Sequence, residues 1–95
     1  MSDRPLLAIT EQIDNDRTCV NHLLFPAGGE SQWHRHERDY VIVPIQDCEL
    51  QIDTGEGAIK VELKAGDCYY RAAGVEHNVM NDTDQDIVLI EVEIK

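Results

Sequence analysis

The sequence predicts an all-β domain, a sandwich or barrel of about eight short strands with little helix. Three observations carry that expectation. Apolar and polar residues alternate at period two along much of the chain. Clusters of turn-forming residues break the alternation at regular spacing. Helical periodicity is missing, apart from a turn expected near residues 11–16.

Taken in order, residues 1–16 read as an N-terminal strand or loop extension of one domain covering residues 1–95. Within it, the Leu6 to Thr10 stretch reads as a strand able to join a partner's sheet. Ala27-Gly28-Gly29 marks a turn, and the strand expected after it carries His34 and His36. Cys48, Leu50 and Ile52 alternate with Glu49, Gln51 and Asp53, then Ile59, Val61 and Leu63 alternate with Lys60, Glu62 and Lys64. Thr54-Gly55-Glu56-Gly57 joins those two runs as a hairpin loop. Lys64-Ala65-Gly66-Asp67 turns the chain towards Tyr69 and Tyr70, which are β-formers expected to pack with their hydroxyls satisfied. His77 opens another strand after the Ala72-Ala73-Gly74 corner, and Asn81-Asp82-Thr83-Asp84 is a further turn. Val88, Ile90, Val92 and Ile94 then form one face of a C-terminal strand, with Glu91 and Glu93 opposite.

Composition narrows the function. Eight basic and 19 acidic residues give a formal charge of −11, which argues against a nucleic-acid partner. The longest uncharged apolar stretch runs only from Tyr40 to Gln46, too short to cross a bilayer. Cys19, Cys48 and Cys68 form no Cys-x-x-Cys pair and are odd in number, which fits a reducing cytoplasm and small buried side chains rather than a disulfide framework. A core built from 95 residues is small, so a homodimer is expected to bury the remainder.

Three of the four histidines fall in two short stretches, each a fixed distance after a glycine. Residues i and i+2 of a strand share a face, so His34 and His36 aim together while Trp33 and Arg35 point away. With His77 brought opposite on a facing strand, three imidazoles converge at a spacing suited to one metal ion. Tyr40 lies at an even offset from both and is expected to face the same interior. Gln32, two residues before His34, is a further candidate ligand, and Arg71 a candidate anchor for an anionic substrate at the mouth. His22 is expected to be an ordinary strand-face histidine.

These stretches resemble the two motifs of the cupin family, small β-barrels of the jelly-roll type. Gly28, His34 and His36 match the first motif; Gly66, Gly74, His77 and Asn81 match the second. Tyr40 stands where the first motif has an acid, Asp47 where it ends on glycine, and Ala72 where the second has proline. Asp tolerates left-handed backbone, so the change at Asp47 is mild. The resemblance spans residues 23–95 and implies a single jelly-roll barrel. It implies one divalent metal per chain, held by His34, His36 and His77; iron, nickel, zinc, cobalt and manganese all suit such a site. Tyr40 is then a neighbour of the metal that serves as acid or base rather than a ligand. The implied function is a small metal-binding cupin that binds or transforms a small anionic or carbonyl-bearing molecule. If it is an enzyme, it is a metal-dependent dioxygenase, isomerase or lyase; the alternative is a non-catalytic ligand-binding or sensory cupin. The expected partners are a small molecule and a second copy of the chain, with no nucleic acid or membrane.

Overall fold

Nine strands stack into two antiparallel sheets in the computed structural model, which describes residues 3–95. They are β1 (Ala8–Asp14), β2 (Thr18–Phe25), β3 (His34–Arg35), β4 (Asp39–Pro44), β5 (Cys48–Asp53), β6 (Ala58–Leu63), β7 (Tyr69–Arg71), β8 (Glu76–Met80) and β9 (Ile87–Ile94). One sheet has the order β1-β2-β9-β4-β7 and the other β3-β8-β5-β6. There is no helix among the described residues. The fold is the expected all-β jelly roll, with one strand more than anticipated.

The core lies between the sheets. Leu23 and Phe25 from β2, Ile42 from β4, and Ile87 and Leu89 from β9 meet Leu50 from β5 and Val79 from β8. Each is at most 9% exposed. Alternation along β2 and β4 sends every second side chain into this core, as a sheet with one inner face requires. The Thr54 to Gly57 hairpin forms as expected between β5 and β6, with Asp53 Oδ1 accepting the Gly55 N–H at 2.8 Å.

Several expectations are corrected. No helical turn forms near residues 11–16. Instead β1 continues to Asp14 with a bulge between Glu11 and Ile13, and Asn15 Oδ1 caps the following turn by accepting the N–H groups of Arg17 and Thr18. This strand pairs with β2 and forms one edge of the five-stranded sheet. Asp47 does not need left-handed geometry, because Gln32 is the one non-glycine with positive φ among the described residues. Asp47 uses its carboxylate instead, accepting the Ala65 N–H at 2.9 Å across the β6–β7 turn. Only Cys19 is buried; Cys48 is half-buried and Cys68 exposed.

The C-terminal strand is inverted relative to its apolar pattern. Ile87 and Leu89 face the core at 3% exposure each, so parity turns Glu91 and Glu93 inward as well. Val88, Ile90, Val92 and Ile94 face outward. The alternation was real, but β9 pairs on both sides and carries apolar residues on both faces, so periodicity alone cannot orient it.

The motif glycines and asparagine have structural reasons. Gly28 (φ +75°) and Gly74 (φ +103°) adopt left-handed backbone that a side chain resists. Asn81 is fully buried. Its amide donates to the carbonyls of Phe25, Pro26 and Gln85 at 3.1, 3.1 and 2.7 Å, and its oxygen accepts from the Thr83 N–H and hydroxyl. It thus ties the β8–β9 turn to the end of β2. Asn81→Ala strands several buried backbone groups and is expected to lower the unfolding free energy by about 2–3 kcal/mol. Chemical denaturation checks this, and a loss below about 0.5 kcal/mol, the level of an ordinary surface change, would show that the turn does not rely on the amide.

Candidate metal centre

His34 and His77 are direct cross-strand partners on β3 and β8. The third ring therefore arrives from the neighbouring strand of the same sheet, not from a facing strand as expected. β3 is only two residues long, yet its surroundings are fastened by backbone bonds. The Ser31 N–H donates to Val79 O at 2.8 Å, the His36 N–H to Val75 O at 2.9 Å, and the Gly74 N–H to His36 O at 2.8 Å. These bonds hold His36 beside the turn before β8, although it lies just past the strand. The His-x-His alternation survives there, and both rings face inward.

The three Nε2 atoms converge. His34 Nε2 lies 2.9 Å from His36 Nε2, which lies 3.1 Å from His77 Nε2. Two nitrogens bound to one ion at about 2.1 Å sit roughly 3.0–3.4 Å apart, depending on the bond angle. The observed spacings lie one just below and one at the close end of that range, so a small adjustment of the rings fits this donor set to a single ion. Each histidine offers one ring nitrogen to a cluster in which the three lie within 4.8 Å of one another. His34 Nδ1 is 2.9 Å from the Gln32 carbonyl, which can only accept, so Nδ1 carries the proton and Nε2 keeps its lone pair for the centre.

Burial sets the charge state of the other two rings. His36 and His77 are pulled down to about 4, first by burial and then by the nearby His34 ring, with His36 and Arg71 adding to the effect on His77. Near neutral pH both are uncharged, the form that binds a metal.

Tyr40 is 2% exposed and stacks on His36, with ring centroids 3.9 Å apart and planes inclined by 20°. Burial, reinforced by Tyr69 and Glu91 and opposed by Arg71, pushes its phenol up to about 12, so the hydroxyl keeps its proton. It faces inward as expected, but not along one continuous strand. The chain leaves the four-stranded sheet after β3 and enters the five-stranded sheet at β4, so Tyr40 reaches the histidines from across the barrel.

Gln32 does not share the face of His34. Its φ of +69° breaks the alternation, and its side chain is exposed. It contributes its backbone carbonyl to the site rather than its amide. Arg71 is exposed; it donates to Tyr70 O at 3.0 Å and lies 4.6 Å above the Tyr69 ring. It stands beside the cavity wall rather than in it. Trp33 points away and is 52% exposed, and His22 lies on the outer face of the five-stranded sheet, both as expected. Tyr69 packs into the wall, whereas Tyr70 is exposed with its hydroxyl donating to Asp39 at 2.6 Å.

The histidines open into a cavity of about 300 Å³. Its wall is mainly apolar, including Leu23, Phe25, Ile42 and Leu50, with Ser31, Tyr40, Tyr69 and Glu91 as polar groups beside the histidines. Glu91 is the functional candidate that sequence reasoning missed. Burial raises its carboxyl above the usual range, partly offset by a hydrogen bond from Asn21. The available signal was its parity with Ile87 and Leu89, which the stronger apolar run on the other face masked.

The Cupin_2 cupin-domain family model matches residues 21–93. The beta-alanine degradation protein BauB of Pseudomonas aeruginosa is 45% identical over 95 residues, spanning all of both chains. A crystal structure of a cupin domain from Bordetella pertussis Tohama I is 46% identical, covers 100% of this chain and 99% of its own, and superposes with a TM-score of 0.95. A double-stranded β-helix protein from Klebsiella pneumoniae, 22% identical, shares the fold with a TM-score of 0.77 over 99% of this chain and 80% of its own. The chain belongs to the cupin family.

The depressed histidines link stability to pH. Without metal, His36 and His77 stay neutral in the folded chain to about pH 4, whereas the same rings in the unfolded chain take up protons below about 6.5. The unfolded state therefore binds more protons between these values, and folding stability falls as pH drops from 6.5 towards 4. Melting temperatures of metal-free protein should fall across that window, and less steeply in His36→Ala. An unchanged slope in the variant would contradict this origin.

Proposed function

We propose that this cupin binds one divalent transition metal per chain through Nε2 of His34, His36 and His77, and uses the site to bind or transform a small anionic or carbonyl-bearing molecule. The observation that carries this reading is the convergence of three ring nitrogens at 2.9 and 3.1 Å, with His34 oriented by the Gln32 carbonyl. A metal bound there would supply Lewis acidity, polarising a substrate carbonyl or carboxylate oxygen.

The protein supplies the rest. A cavity of about 300 Å³ lies at the small end of ligand pockets, which favours a molecule of a few heavy atoms. The apolar wall from Leu23 to Leu89 limits water around it. Tyr40 keeps its proton on the phenol oxygen at neutral pH, so it can donate to an oxygen that gains negative charge. Its stacking on His36 fixes where that donor stands. The relative named for beta-alanine degradation supports a small amino acid as the molecule handled.

Elemental analysis of untagged protein tests the site. The parent should carry close to one equivalent of a divalent metal. His77→Ala should lose most of it, while His22→Ala, altered on the outer sheet face, should keep it. Tyr40→Phe should also keep the metal, because a neutral phenol is a poor ligand. Equal metal in His77→Ala and the parent, after matched loading, would overturn the assignment.

A further inference from the structure

Glu91 sits in the middle of the five-stranded sheet, opposite Asn21 of β2 on one side and Ile42 of β4 on the other. Its side chain lines the same cavity as the three histidines, from the facing sheet. Asn21, itself 8% exposed, donates its amide to Oε1 at 3.2 Å. No cation pairs with Glu91 among the described residues, and its second oxygen has no hydrogen-bond partner there. Arg71, the nearby cation, is engaged with Tyr69 and the Tyr70 carbonyl.

A carboxyl in that position is costly. Its neighbours include Leu23, Ile42 and Leu89, and an apolar residue would extend the core without desolvating a charge. Carboxylate oxygens only accept hydrogen bonds. The cavity therefore has two unlike ends: ring nitrogens with a lone pair for a metal on one sheet, and an uncompensated acceptor on the other. A ligand that satisfies both carries an oxygen anion at one end and a hydrogen-bond donor at the other.

We propose that Glu91 is the recognition group for the donor end of a small ω-amino acid, accepting hydrogen bonds from its ammonium group while its carboxylate lies at the histidine end. This rests on the metal-site reading above. The contact is charge-assisted, which is the stronger class of hydrogen bond, and it restores the compensation that Glu91 lacks in the free protein. Asn21 orients the carboxyl by occupying Oε1 and leaving Oε2 for the ligand.

The test uses cobalt(II)-loaded protein, with β-alanine and propionate as probes. The two acids share a three-carbon chain and differ in the amine. Changes in the visible cobalt spectrum report binding, and cobalt content is measured after dialysis. The parent should bind β-alanine at least about tenfold more tightly than propionate, a preference of about 1.4 kcal/mol. Glu91→Gln is nearly isosteric and retains an oxygen for Asn21. It should hold equal cobalt and bind propionate as the parent does, but lose the preference for β-alanine. A preference that survives in Glu91→Gln, or is absent from the parent, overturns the role of Glu91. Loss of cobalt from Glu91→Gln also overturns it, by making the carboxyl a metal ligand. A parent that takes up no cobalt overturns the metal reading instead.

Discussion

The pairing of β3 with β8 is the constraint on which the site depends. It spans only two residue pairs, yet it sets His34 against His77 and delivers His36 beside them. Three imidazoles have little reason to converge unaided, because each gives up hydration on entering the barrel. The backbone bonds around Ser31, His36 and Gly74 fasten the approach. Gly74 can adopt its left-handed backbone because it lacks a Cβ. Asn81 secures the far end of β8 by gathering three carbonyls into one buried amide. The motif positions outside the histidines thus serve the geometry of the ligands rather than their chemistry.

The fold was legible because a β-sheet writes its period directly into the sequence. Alternation in β5, β6 and β9, the hairpin at Gly55, and the turn glycines all pointed to the architecture found. The inward direction of Tyr40 was anticipated by counting an even offset from His34, but the chain changes sheets between β3 and β4. Gln32 failed the same counting because one left-handed residue breaks alternation locally, and no composition signal marks a non-glycine at φ +69°. Placing His77 on a neighbouring strand required knowledge of pairing order, which local periodicity does not contain.

β9 shows the stronger limit. Both of its faces begin apolar, at Ile87 and Leu89 on one side and Val88 and Ile90 on the other. Sequence reasoning separated the two faces without saying which one the barrel buries. The barrel buries the shorter apolar run, because the register with β2 sets Ile87 against Phe25 and Leu89 against Leu23. The consequence reaches function: Glu91 is turned towards the cavity, and the longer apolar run forms the outer surface. An apolar run identifies a face that avoids water, but it does not say which body covers it.

The exchange at Tyr40 gains meaning beside Glu91. In the resemblance that the motifs carry, an acid stands at the Tyr40 position and adds a negative charge to the histidine set. Here that position holds a phenol that remains protonated, which leaves the histidine set without an acidic member. The cavity keeps a carboxyl, but on the neighbouring strand β9, two residues further into the sheet by register, since Tyr40 pairs with Glu93 and Ile42 with Glu91. Moving the acid away from the ring nitrogens separates two tasks that one glutamate would combine. A neutral donor set leaves more positive charge on any bound metal, which strengthens its pull on an anionic ligand. The displaced carboxyl becomes available to the opposite end of that ligand. Charge placement, more than cavity shape, would then select a molecule with unlike ends over a simple anion of the same length.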